Sequence, residues 1–284
     1  MPERPTNSPA PPAPQPAAAA AAPSFPVTDP IIELRDIHKS FGQLQVLRGV
    51  SLNFQRRHTT VVIGPSGCGK SVMLKHIVGL LRPDSGQVWF EGVRIDHLPE
   101  PQLVAVRTRF GFLFQMGALF DSMTVEQNVS FPLVEHTRMS PAERRDRCAR
   151  VLSLVGMDGT HHKMPAELSG GQRKRIGLAR AIALHPAVVL YDEPTTGLDP
   201  IRSDVINRLI SKLKDELHVT SIVVTHDMHS AYSIADRILM IYDGRIIADA
   251  TPDRIRATED PIVRAFIEGR SDVQQIAGLE AANR

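Results

Sequence analysis

The stretch VVIGPSGCGKSVMLK, residues 61–75, decides the fold of this chain. It runs from a short apolar segment through a glycine-rich loop into a segment with a helical pattern, and residues 64–71 match the pattern G-x-x-x-x-G-K-[ST]. Glycines let successive backbone N–H groups of such a loop point at phosphate oxygens, and the following helix adds a partial positive charge at its N-terminus. A plain glycine turn is the alternative, but a loop that follows a strand and opens a helix favours phosphate binding.

The end of this loop carries its predicted chemistry. Lys70 is expected to reach the β- and γ-phosphates of a nucleotide, and the Ser71 hydroxyl is expected to ligate Mg²⁺. The residues of this segment predicted to bind ATP are Gly64, Pro65, Ser66, Gly67, Cys68, Gly69, Lys70, Ser71 and Val72. Bound nucleotide is therefore expected to shield Cys68 from thiol reagents.

Strand and helix patterns alternate on both sides of the loop and predict an α/β fold. Apolar runs predict strands at 31–37, 46–54, 59–64, 187–192 and 220–226, and hairpins at 87–95 and 237–250. Helices are predicted at about 70–80, at 140–156 behind a Ser140 cap, up to about 185, and at 201–217. The pattern indicates a mostly parallel core sheet, an antiparallel N-terminal β-subdomain, and a helical subdomain (approximately 116–170) inserted between two core strands.

Composition limits what the chain can be. Its 284 residues suffice for one large domain or two small ones, and a net charge of +2 gives no electrostatic reason to expect nucleic-acid binding. Two cysteines, Cys68 and Cys148, fit a reducing compartment better than a disulfide framework. The sequence has no apolar run near the roughly 20 residues that span a bilayer, so a role at a membrane requires a partner.

The composition also divides the chain. Residues 1–28 are rich in proline and alanine and are predicted to be a disordered tail. Residues 29–269 are predicted to form the nucleotide-binding domain. Residues 270–284 are predicted to be a C-terminal tail, for which partner docking and plain disorder are both open.

A second motif, VVLYDEPTTGLD at 188–199, places two carboxylates after an apolar strand. Its four apolar residues bring Asp192 and Glu193 to the carboxyl end of the strand, where ligands bind in open α/β sheets. Asp192 is predicted to hold Mg²⁺ through water, and Glu193 to polarise the attacking water as general base. Two carboxylates in a solvated turn are the alternative, which the phosphate loop in the same chain disfavours.

The pentapeptide LSGGQ at 168–172 supplies a second glycine-rich helix N-terminus. Ser169 can cap the helix, and the N–H groups of Gly170 and Gly171 can form a second anion site. With this motif the chain resembles the ABC ATPase family, a P-loop NTPase fold with a RecA-like mixed and mostly parallel core. In that family the motif clamps the γ-phosphate held by the opposite subunit. The resemblance therefore implies a homodimer in which Ser169, Gly170, Gly171 and Gln172 complete the ATP site of the partner copy.

The same resemblance assigns roles to single residues elsewhere in the chain. Gln115 matches the glutamine that senses Mg²⁺ and the attacking water, His226 the switch histidine aimed at the γ-phosphate, Asp199 the aspartate at the dimer seam, and Phe41 the aromatic that stacks on adenine. A lone histidine or phenylalanine in such places is more often structural, but the order and spacing favour function. The catalytic residues are thus predicted to be Glu193, His226, Gln115 and Lys70, and the metal ligands Ser71, Gln115 and Asp192.

One residue departs from the family pattern. Many members carry a second serine or threonine after the metal-binding hydroxyl, and this chain has Val72 there. The substitution removes a side-chain contact to the α-phosphate and leaves the metal ligand and the fold unaffected.

The sequence after Gln115 indicates which class of ABC ATPase the chain resembles. FLFQMGALFDSMTVEQNVSFPLVEHT at 112–137 resembles the ATPase subunit of the Mla-type, MCE-associated phospholipid transporters through GALFDSMTV and PLVEHT, and DPIVRAFIEG at 260–269 adds mild support. The resemblance implies an integral membrane permease, an MCE-domain substrate-binding protein and a small STAS-domain protein as partners. It also implies a peripheral location on the cytoplasmic face of the inner membrane, and transport of phospholipid between inner and outer membranes.

Two other functions are left open. The chain could power a transporter for another hydrophobic or toxic solute, or it could be an ABC ATPase that does not transport. The chromosome-maintenance type splits its halves around a long coiled coil, and no heptad pattern of that length is present. The translation-factor type joins two cassettes in one chain, whereas this chain has one.

Overall fold

The computed structural model of the protein describes residue 25 and residues 27–270. Among these residues the strands form two sheets. In chain order they are β1 (Pro30–Phe41), β2 (Leu44–Gln55), β3 (Thr59–Ile63), β4 (Ser85–Phe90), β5 (Val93–Arg94), β6 (Phe110–Leu113), β7 (Val188–Asp192), β8 (Thr220–Val224), β9 (Arg237–Tyr242) and β10 (Arg245–Ala250). The predicted tails, 1–28 and 270–284, lie almost wholly outside the described residues.

Helices connect the strands and cover the second sheet. They are α1 (Lys70–Ile77), α2 (Glu100–Arg107), α3 (Val125–His136), α4 (Pro141–Leu154), α5 (Gly170–Ile182), α6 (Pro200–Leu217), α7 (Met228–Ile234), α8 (Pro252–Arg256) and α9 (Pro261–Ile267). None of the helices in this part of the chain is long and apolar enough to cross a membrane.

The first sheet is antiparallel, as predicted, in the order β2-β1-β4-β5. Its first two strands are longer than their alternating apolar segments, and they meet at a tight turn between Phe41 and Leu44. A register shift between Leu34 and Ile37 accompanies Asp36, whose φ of 53° lies in the left-handed region. Such a bulge bends the strand and allows the sheet to curve over the core.

The second sheet has the order β10-β9-β3-β8-β7-β6, in which β9, β3, β8, β7 and β6 run parallel and β10 runs antiparallel. All five residues of β3 and of β8 are buried, which explains their continuous apolar pattern. Because the strands are parallel, the carboxyl ends of β3, β6, β7 and β8 lie at one edge. The predicted mixed sheet with a mostly parallel core is confirmed.

The core has two parts, one on each face of the parallel sheet. Tyr191 and Ile210 belong to the part beneath α5 and α6, and Val62 and Phe54 belong to the part between the two sheets. Each fully buried side chain of this size contributes roughly 1.5–3 kcal/mol of transfer free energy. The site-bearing strands are thus held rigidly from both faces.

The segment between β6 and β7 is helical, but its first helix begins later than predicted. Residues 114–124 form an irregular loop held by the buried Asn128, which accepts from Phe120 N and donates to the carbonyl oxygens of Phe120, Met123 and Thr124. Thr124 then caps α3 in a capping box. The predicted helix behind Ser140 is confirmed as α4, with a capping box of its own.

Candidate functional site

The loop between β3 and α1 accommodates only glycine at two positions. Gly64 has a φ of 145°, and a Cβ there would lie 2.2 Å from the carbonyl oxygen of Ile241. Gly69 is the N-cap residue of α1 and has a φ of 106°, and no side-chain hydrogen bond caps the start of this helix. No acidic residue occupies the first turn of α1. The N–H groups at this helix start are therefore available to an anion, and the loop fits a phosphate group.

Lys70 adds a buried positive charge to this loop. The residue is 8% exposed, and its ammonium donates to the carbonyl oxygens of Gly64 at 2.7 Å and Pro65 at 2.8 Å. Burial raises the pKa of the neighbouring Cys68 thiol, although the charge of Lys70 opposes the rise. The thiol is therefore protonated at neutral pH and is a weak nucleophile.

Asp192 and Ser71 bring two oxygen ligands together beside the loop. Asp192 ends β7, and the Ser71 hydroxyl on α1 lies close enough to its carboxylate to lower the pKa of that group slightly. Burial, together with the charge of Glu193, raises the pKa of Asp192, while Lys70 opposes the rise. A carboxylate and a hydroxyl are hard oxygen donors, so this pair fits Mg²⁺.

Glu193 is held by two side chains from neighbouring loops. His226 Nδ1 lies 3.0 Å from Glu193 Oε1, and the hydroxyl of Thr196 donates to Glu193 Oε2 at 3.1 Å. The Glu193 side chain is mostly buried, whereas that of His226 is largely exposed. The structure thus brings together the phosphate loop, Asp192, Glu193 and His226. Gln115 follows β6 at the same edge of the sheet and is exposed.

The Ser169–Gln172 segment opens α5 in the predicted way. Ser169 Oγ accepts from Gln172 N at 3.3 Å, and Gln172 Oε1 accepts from Ser169 N at 2.9 Å. The side chain of Gln172 is therefore engaged in its own capping box. A Cβ on Gly170 would lie 3.9 Å from Leu198, so this segment lies against the loop that follows Glu193.

Two predicted residues lie further out. Asp199 caps α6 by accepting from Arg202 N at 2.9 Å and also pairs with the Arg202 guanidinium. Phe41 ends β1 with about half of its surface exposed, and Lys39 Nζ lies 5.6 Å from its ring centroid. Both side chains are accessible to a ligand or a second copy.

Sequence reasoning missed two residues of this region. Thr196 holds the carboxylate of Glu193, and Lys174 donates to backbone carbonyls of the same loop. A signal for Lys174 was present, since it lies on the same face of α5 as Gly171, Gly177 and Leu178, which are all buried. Thr196 carries no comparable signal because its role depends on how the loop folds.

Comparisons with known proteins agree on the type of chain. A family model described as ABC transporter matches residues 47–196. The chain is 40% identical over 239 residues to the probable ribonucleotide transport ATP-binding protein mkl of Mycobacterium leprae (strain TN), covering 84% of this chain and 69% of that protein. It is also 40% identical over 242 residues to the intermembrane phospholipid transport system ATP-binding protein MlaF of Escherichia coli (strain K12), covering 85% and 90%.

A solved structure is similar over most of its length. The ATP-binding cassette MJ0796, in a dimeric post-hydrolysis state bound to ADP and Pi, matches with a TM-score of 0.72 and 33% sequence identity. The match covers 78% of this chain and 98% of that chain.

Proposed function

This chain belongs to the ABC transporter family and hydrolyses ATP, and from that premise we propose that it is the ATPase subunit of a phospholipid transporter of the Mla type. The observation that carries the proposal is the MlaF match, which covers 90% of that protein. The segments GALFDSMTV and PLVEHT, which follow Gln115, point to the same class.

Glu193 is the proposed general base. Its carboxylate follows Asp192 and is held by His226 and Thr196, at the edge of the sheet where the phosphate loop also emerges. In this position it can accept a proton from the attacking water, while Lys70 holds the phosphate oxygens. His226 is the proposed partner of the γ-phosphate, because its exposed ring lies beside the base.

The proposed metal is Mg²⁺. Ser71 and Asp192 would hold it, together with Gln115 at the same edge of the sheet. When bound, the ion neutralises charge that develops on the phosphate oxygens.

The Ser169–Gly171 segment is proposed to serve the partner copy in a homodimer, with Gln172 and Asp199 at the seam. A Cβ at Gly170 or Gly171 would meet its nearest neighbours within this chain only at 3.9 Å, and neither glycine has a positive φ. The chain's own structure therefore gives no steric reason for glycine here. The close approach of a phosphate group bound to the partner copy would provide a steric reason for glycine. The dimeric state of MJ0796 supports this arrangement. Phe41 would stack on the adenine.

The loop 114–124 is the proposed contact with a membrane permease. It contains Gln115 and exposes three large apolar side chains, those of Phe114, Met116 and Phe120, with Met116 76% exposed. Exposed apolar groups of this size mark interaction surfaces. Through the permease the chain would work with an MCE-domain protein and a STAS-domain protein, peripherally at the cytoplasmic face of the inner membrane.

The ATPase chemistry is tested with Glu193→Gln. Glutamine keeps an acceptor for Thr196 and removes the base, so turnover should fall by about 10²-fold or more while ATP binding persists. The ATP-bound dimer should then accumulate, as size-exclusion chromatography would detect. Normal hydrolysis by E193Q would overturn the assignment of the base.

The transported substrate is tested separately, because mkl is described as a probable ribonucleotide transport ATP-binding protein and has the same 40% identity to this chain as MlaF. The complex should be purified from native membrane and its partners and bound lipids identified. Copurification of an MCE-domain protein with phospholipid would support the proposal. ATP hydrolysis by the reconstituted complex that responds to ribonucleotides and not to phospholipid would overturn it.

A further inference from the structure

Lys174 lies in the second turn of α5, four residues after Gly170, and is buried. The residue as a whole is 4% exposed. The ammonium donates to the carbonyl oxygens of Pro194 and Thr196 at 2.7 Å each, and to that of Glu193 at 3.4 Å. A buried ammonium is costly unless hydrogen bonds replace its hydration, and here three carbonyls of a single turn replace part of it.

The turn that supplies these carbonyls carries the proposed general base. Glu193 has a φ of 52°, a left-handed conformation that residues with a side chain rarely adopt. Two backbone bonds hold it there, from Glu193 N to Val224 O at 2.9 Å and from Thr196 N to Glu193 O at 3.3 Å. Carbonyl oxygens that converge on one point repel each other, and the Lys174 ammonium between them offsets that repulsion.

We propose that Lys174 is a positioning residue for ATP hydrolysis. It fixes the Glu193–Thr196 turn, so that the Glu193 carboxylate points at the attacking water, and it does so through the backbone. The inference rests on the proposed role of Glu193 as the base. It adds a residue on α5 that orients this base.

The place of Lys174 in α5 extends this role. Ser169 caps the same helix, and one turn beyond Lys174 the helix contacts the loop 114–124, which contains Gln115. A Cβ on Gly177 would lie 2.9 Å from the carbonyl oxygen of Gly117, and Arg180 donates to that oxygen at 3.1 Å. A displacement of α5 that begins at Ser169 or at the contact with Gly117 is therefore transmitted to Glu193 through Lys174.

Arg147 offers a matched control. It is also 4% exposed, and its guanidinium donates to the carbonyl oxygens of Ile182 and Ala183 at 2.9 Å each, at the opposite end of α5. Replacing either cation by methionine removes a buried charge that binds backbone carbonyls. Only Lys174→Met touches the turn that carries Glu193.

The experiment measures steady-state Mg·ATP hydrolysis by the full chain. K174M should lower kcat by about 30- to 100-fold with KM for ATP changed less than about twofold, since misplacing a catalytic group by about 1 Å costs rates of this order. R147M should keep kcat within about twofold although it loses stability to denaturant as well. K174R, which keeps donors for the carbonyls, should retain at least about a third of the activity.

The outcomes separate this inference from the proposed function. A kcat for K174M as high as that of R147M would overturn the positioning role. If K174M does not fold, K174Q, whose amide is too short to reach all three carbonyls, provides the same comparison. Hydrolysis by E193Q would refute the base itself, whereas an inactive E193Q beside a fully active K174M would refute only the role of Lys174.

Discussion

Two buried groups on neighbouring helices should give the stability of this protein opposite dependences on pH. Burial lowers the pKa of Lys174 from 10.5 to about 8, although the charge of Glu193 opposes the shift. Burial raises the pKa of the Cys148 thiol from 9.0 to about 11, although the neighbouring Ser130 hydroxyl opposes that shift. In both cases the charged form is disfavoured by loss of hydration, but one group gains its charge by binding a proton and the other by releasing one.

Whether stability rises or falls with pH depends on which state, folded or unfolded, binds more protons. Between about pH 8 and 10.5 Lys174 keeps its proton in the unfolded chain and loses it in the folded protein, so stability rises with pH. Between about pH 9 and 11 the thiol of Cys148 ionises in the unfolded chain and stays protonated in the folded protein, so stability falls. From pH 7.5 to 9.5 the titration of Lys174 should raise the free energy of unfolding by about 2 kcal/mol, and that of Cys148 should lower it by about 1 kcal/mol. The wild type should therefore gain about 1 kcal/mol.

Urea unfolding of the wild type, K174M and C148A at pH 7.5 and 9.5, at constant ionic strength, separates the two contributions. Over this interval the free energy of unfolding of K174M, which keeps only Cys148, should fall by about 1 kcal/mol. That of C148A, which keeps only Lys174, should rise by about 2 kcal/mol. Each variant is compared with itself at the two pH values, so a constant packing loss cancels. If the free energy of unfolding of K174M rises between the two pH values as much as that of the wild type, the reasoning for the lysine is refuted. If the rise for C148A is no larger than that for the wild type, the reasoning for the thiol is refuted.

Two further predictions concern the nucleotide and the permease. Lys70→Ala should weaken ATP binding by on the order of 10²-fold or more, because it removes the buried ammonium at the phosphate loop; equilibrium binding checks this, and an unchanged affinity would count against the loop. Met116→Asp should reduce coupling of ATPase rate to the permease and leave ATP affinity unchanged, whereas Val93→Asp, at an exposed apolar position on the first sheet, should leave both unchanged. Loss of nucleotide binding in M116D would contradict a coupling surface.

The parts of the fold that sequence could predict are those with a local cause. The apolar run of β3 is buried on both faces and has the continuous pattern of a parallel strand, and Ser140 with Pro141 marks the start of α4. The late start of α3 has a different cause. The buried Asn128 holds the preceding loop by accepting one hydrogen bond and donating three, and the helical pattern does not show that its side chain binds the backbone of that loop.

The same distinction applies to the two glycine motifs. At Gly64 the chain itself excludes a side chain, since a Cβ would lie 2.2 Å from a backbone oxygen across the sheet. At Gly170 the nearest neighbour would be 3.9 Å away, so the requirement for glycine has to come from a group that approaches from outside. Sequence predicts both anion sites with the same rule, because both are glycines at a helix start. The structure shows a close neighbour within this chain at Gly64 and none at Gly170, and that difference is the physical argument for the proposed dimer.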